Sequence, residues 1–106
     1  LEDSIQHLDK LLEKDTIEKI QSASEDEINQ FHMGLGMWMR NNWGLWKGSD
    51  LAKWFNTKGI THADDMSGII ITSYWRHLHN KPIDLDSQIN SYKEFWLKTI
   101  GKESPE

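Results

Sequence analysis

The chain has no cysteine, so disulfide stapling and thiolate metal sites are both excluded. Uninterrupted apolar runs reach only three residues, as at Ile69–Ile71, against the roughly 20 that a membrane-spanning helix needs. The 12 basic residues are scattered without forming a block, and the electrostatic footprint of a nucleic-acid binder is missing. The nucleophile patterns GxSxG and SxxK and the zinc pattern HExxH do not occur. The "GLG" at 34–36 lies inside a helical pattern instead of following a strand, so it is no phosphate loop. No cofactor is expected, and a catalytic role is disfavoured.

At 106 residues the chain suits one domain spanning 1–106, able to bury a core without metal or disulfide. Mean hydropathy of -0.70 is polar for a globular chain. However, six Trp, two Tyr and three Phe concentrate apolar area in a few large side chains. The formal net charge of -5 favours solubility and could steer basic partners, a solvated surface being the simpler reading. The missing cysteines fit a reducing cytoplasm, the expected compartment. Starting at Leu1 suggests something removed upstream, with export after loss of a leader as the alternative.

Nearly every segment has helical spacing. Leu1, Ile5, Leu8 and Leu12 share a face, and Asp15 with Glu18 suggests a capping pair opening a second short helix. Ser24 and Glu27 form a capping box for a third helix expected from Glu25 to Asn42, with Ile28, Phe31, Leu35 and Met39 as its stripe. Met33, Met37 and Trp38 widen that stripe, which argues for a central position. Gly34 and Gly36 predict a close neighbour, and Gly44 predicts a left-handed end. Ser49 should cap a short helix carrying Leu51, Trp54 and Phe55. The next helix starts at Asp64–Asp65, buries Met66, Ile69, Ile70, Ser73, Tyr74 and His77, and stops before Pro82. Asp84 should cap the last, with Leu85, Ile89, Tyr92, Phe95, Trp96 and Ile100 inward. The predicted fold is all-α, a compact bundle of five to six helices without a sheet.

Chemistry concentrates in "GLGMWMRNNWGLWKGSD", residues 34–50. Arg40 brings a five-donor fork, and Asn41 and Asn42 bring donors and acceptors. At a helix end beside Trp43 they could grip a carboxylate, a phosphate or a peptide backbone. Equally, Arg40 could pair with Asp64 or Asp65 while the amides satisfy loop carbonyls. Trp38 and Trp54 read as core. Trp43 and Trp46 either close over the bundle or leave an indole exposed as an anchor. Of the five histidines, His77 and His79 diverge on a helix, and His32 could join a site only through the fold. His62 with Asp65 is a better pair, although His62 is more simply a helix cap, and no metal site is expected. Asp64 and Asp65 read first as complements of a helix dipole.

The blocks "GLGMWMRNNWGLW" and "DDMSGIIITSY", within residues 25–97, resemble an uncharacterised bacterial domain family of unknown function. The resemblance implies a small helical fold and a bacterial or phage origin, with exported as well as cytoplasmic members; residues 1–23 would be a helical extension. Ala63 stands where a proline is expected and Asp50 where a basic residue is expected. No activity comes with the family. The favoured expectation is a non-catalytic module that binds a protein partner through the aromatic and polar loop at 40–48, including Trp43 and Trp46. The alternative is a small-molecule or peptide binder with a pocket of Arg40, Asn41, Asn42, Asp65 and Tyr74. Oligomeric state is not legible in these residues.

Overall fold

A helix with apolar side chains around most of its circumference has to be surrounded by others. The computed structural model, which describes residues 2–24 and 27–101, places Ala63–Leu78 in that position. Among the described residues there are six α-helices and no strand: α1 (Glu2–Leu11), α2 (Lys14–Ser22), α3 (Met37–Asn42), α4 (Asp50–Thr57), α5 (Ala63–Leu78) and α6 (Leu85–Ile100). All the other helical elements pack on α5. Met66, Ile69, Ile70 and Tyr74 of α5 are fully buried, against Ile5 and Leu8 of α1, Ile20 of α2, Met39 of α3 and Phe55 of α4 within one core. The radius of gyration, 13.4 Å, is close to the roughly 13 Å expected of a folded chain of this length.

Several ends form as their residues dictate. Ser24 and Glu27 exchange main-chain to side-chain hydrogen bonds of 3.1 and 3.2 Å, and the Ser24 amide, then its hydroxyl, hold the Glu27 carboxyl below its ordinary value. Ser49 Oγ accepts the Ala52 amide. His62 Nδ1 accepts the Asp64 amide at 3.1 Å, which caps α5. Gly44, at φ +65°, turns the chain out of α3 as a residue without a Cβ does readily.

Other expectations are corrected. The third helix is not one regular α-helix: a 3-10 segment (Glu27–Phe31) and a π segment (His32–Gly36) precede α3. Two glycines in five residues weaken the preference for α geometry there. Gly34 is exposed with nothing within 4 Å of a notional Cβ, so no neighbour requires it. Asp15 lies inside the first turn of α2, whose cap position is Glu13. Asp84 precedes α6 in a left-handed conformation without a side-chain cap bond. Trp38, 37% exposed, and Phe95, 54% exposed, stand outside the core, and so does the exposed His77 of α5. The expected contributions of Leu1, of a helix start at Glu25, and of the His32, Met33 and Ile100 side chains lie outside the described residues.

Candidate functional site: the start of the central helix and its groove

The start of α5 gathers polar groups from three elements. Arg40, in the last turn of α3 and only 5% exposed, donates from Nη1 to Ser67 Oγ at 2.7 Å and sets Nε 3.2 Å from Asp64 Oδ1. The Ser67 hydroxyl donates in turn to the Asp64 carbonyl at 3.0 Å. A guanidinium this buried needs such a partner, because an unpaired charge would be strongly disfavoured there. The next residue, Asp65, is 9% exposed and accepts the Trp96 Nε1–H of α6 at 2.7 Å. The two acids at the head of α5 thus bind different elements, Asp64 to α3 and Asp65 to α6.

The residues expected to act together are partly separated. Asn42 donates to the Trp38 carbonyl one turn back at 2.9 Å and does not stitch the loop; Asn41 is exposed. Tyr74 is two turns away, with its hydroxyl on Asp9 Oδ1 at 2.8 Å and His77 Nε2 3.0 Å from the other oxygen. Burial, with Asp9 beside it, raises the Tyr74 hydroxyl well above its ordinary value. Tyr74 therefore fastens α5 to α1. Within the 43–48 loop the two indoles part. Trp43 is half-buried, packing edge-on to Trp38 and His7 at centroid distances of 5.9 and 5.7 Å. Leu45 is the loop's buried plug. Trp46 is 57% exposed.

Two features escape a reading by helical periodicity. The first is a row of rings: Trp46 meets His62 at 6.1 Å, His62 meets Trp96 at 6.1 Å, and Trp96 meets Phe95 at 5.0 Å. It links the motif loop to α6 across the His62 cap. The second is an open groove of about 510 Å3 between the 3-10 segment, α5 and α6, lined by Asp64, Asp65, Ile71, Tyr92 and Phe95 among others. Gly68 forms part of its wall, and a Cβ there would stand 2.5 Å from Tyr92 Oη. The glycine in "DDMSGIII" was the available signal. Burial, and then the negative charge of Asp65, push the Tyr92 hydroxyl up to about 12. Among the described residues no three His, Asp or Glu side chains converge as metal ligands, and no helix is long and apolar enough to cross a membrane.

Residues 1–78 match the model of a domain family of unknown function, DUF6794, and the chain belongs to that family. The match takes in α1 and α2 as well as both motif blocks, and it stops at the end of α5. No curated protein and no solved structure matches the chain.

Proposed function

For a member of a family without an assigned activity, we propose a non-catalytic interaction module that binds a protein partner through the aromatic row from Trp46 to Phe95. The observation that carries this reading is the exposure of those two end residues, 57% and 54%, on rings joined through His62 and Trp96. Large exposed aromatics on a small domain cost solubility without stabilising the fold, and tryptophan leads the residues that anchor interfaces. The Arg40–Ser67–Asp64 bonds and the His62 cap hold the backbone under the row rigid, which lowers the entropy lost on binding. Loop residues 43–48 supply one end, with Trp43 and Leu45 turned inward as its support.

The test compares the native chain with Trp46→Ala and Phe95→Ala, immobilised against lysate of the organism that encodes it. Both positions are exposed, so circular dichroism should show the fold retained. We expect a saturable partner whose capture falls in each variant. No saturable partner, or capture undiminished when both rings are removed, would overturn the reading. A second reading, a small-molecule or peptide binder, has the groove in its favour. Its walls would then be Asp65 with Tyr92 and Phe95 in place of Tyr74 and the asparagines.

A further inference from the structure

The helices differ in how much they set into the core. α1 and α4 each contribute two buried apolar side chains, Ile5 with Leu8 and Ala52 with Phe55. α6 presents the stripe Leu85, Ile89, Tyr92 and Trp96, and among its described side chains Ile89 alone is buried. The α5 groups that meet it are small or polar: Asp65 accepts the Trp96 indole N–H, Gly68 lies against Tyr92, and Ser73 Oγ accepts from Gln88 Nε2 at 3.2 Å. Water can take over such hydrogen bonds, so parting α6 from α5 forfeits less than parting α1 or α4. The connection that carries α6 is strained as well. Asn80 at φ 54° and Asp84 at φ 52° are both left-handed, a conformation costly to residues with a Cβ, and Asp84 has no side-chain bond capping the helix it precedes. The family match, residues 1–78, includes every helix except α6.

We infer that α6 is a latch: it opens from α5 as a unit about residues 79–84 while α1–α5 stay folded, and the aromatic row exists only while it is closed. Local openings of this kind run along the elements with the least buried apolar contact. Trp96 and Phe95 ride on α6, whereas Trp46 and His62 belong to the part that stays behind. Opening therefore splits the row between His62 and Trp96, whose ring centroids are 6.1 Å apart in the closed form. A partner that spans Trp46 and Phe95 binds the closed form alone, and by linkage it must hold the latch shut. That regulation rests on the reading of the row as the binding surface; the opening itself does not.

The test is amide hydrogen exchange, followed residue by residue on the full chain without any partner. Protection across residues 90–97 should be at least about tenfold below that of Ile69–Tyr74 and less sensitive to urea, because opening exposes less surface than unfolding. Ile5→Val, in α1, should lower protection in α5 about two- to tenfold and leave that of α6 unchanged. Leu85→Ser combined with Ile89→Ser removes two apolar anchors of the stripe but no ring of the row. In that double variant the protection of α6 should vanish while Ile69–Tyr74 stay protected. Equal losses in both helices from Ile5→Val, or an unprotected α5 in the double variant, would overturn the latch. Capture of the lysate partner should fall in the double variant although Trp46, Trp96 and Phe95 are all present; undiminished capture would overturn the regulation of the row. A native chain that captures nothing, with the exchange contrast intact, would sink the row as a binding surface and keep the latch.

Discussion

Replacing Gly68 by alanine should destabilise the native protein, yet stabilise it once the Tyr92 hydroxyl is removed. The added Cβ would sit 2.5 Å from Tyr92 Oη but 3.6 Å from Cζ, which is ordinary contact. Glycine to alanine inside a helix gains about 1 kcal/mol. Displacing a half-buried ring from a packed wall costs about 1–3 kcal/mol. The net effect of Gly68→Ala is therefore a loss of about 1 kcal/mol, lowering Tm by roughly 4–8 °C for a domain of this size. In a Tyr92→Phe background the clash disappears and the propensity gain of up to about 1 kcal/mol remains. Urea unfolding followed by tryptophan fluorescence on the four proteins closes the cycle. The same change from Gly68→Ala in both backgrounds would refute the close approach of α5 and α6 at this point.

Three further outcomes follow from the polar contacts. Arg40→Met should cost about 2 kcal/mol in urea unfolding, below the 3–5 of a fully buried pair because Asp64 is half-exposed and regains water; a loss under about 0.5 kcal/mol would contradict the geometry. Asn42→Ala should change stability by less than about 0.5 kcal/mol, since its bond is exposed and stays within its own helix. Both tyrosines hold their protons more tightly when folded, so their contribution is fully present below the unfolded value of about 10 and lost as pH rises through the folded ones. Ultraviolet titration of the native chain should accordingly show no tyrosinate near that unfolded value, and Tyr92 should ionise only near 12. Tyrosinate appearing with the unfolded profile would count against the burial of both hydroxyls.

Local rules recovered the elements that depend on near neighbours. The Ser24–Glu27 box, the His62 cap and the Gly44 turn involve partners within three residues, and each forms as their chemistry requires. Arg40 found Asp64 because a buried guanidinium must be paired and the acids at the head of the central helix were the obvious candidates. The failures are tertiary. Periodicity assigns Trp96 and Phe95 to one inward face, but they are consecutive, so only one can point at α5. Trp96 takes that position with its Nε1–H on Asp65, and Phe95 is left at the groove rim. Tyr74 was correctly placed in the core, yet its hydroxyl partner is 65 positions away, beyond any pattern within a helix. The groove exists because α5 has a glycine opposite a tyrosine of α6. Spacing on either helix alone does not contain that pairing.

The 3-10 and π segments have a consequence for the first half of the molecule. One winds more tightly than an α-helix and the other more loosely, so the twist gained over Glu27–Phe31 is returned over His32–Gly36. Ile28 and Met39 both end in the core, and Phe31 and Leu35 between them pack against it, as though the helix had been regular throughout. These ten residues act as a phase compensator between α2 and α3. Deleting one residue from 32–36 would turn Glu27–Phe31 by about 100° about the helix axis relative to α3. Ile28 would then leave the core and the groove wall. The register of the 3-10 segment against α5 therefore depends on the length of this stretch more than on its composition.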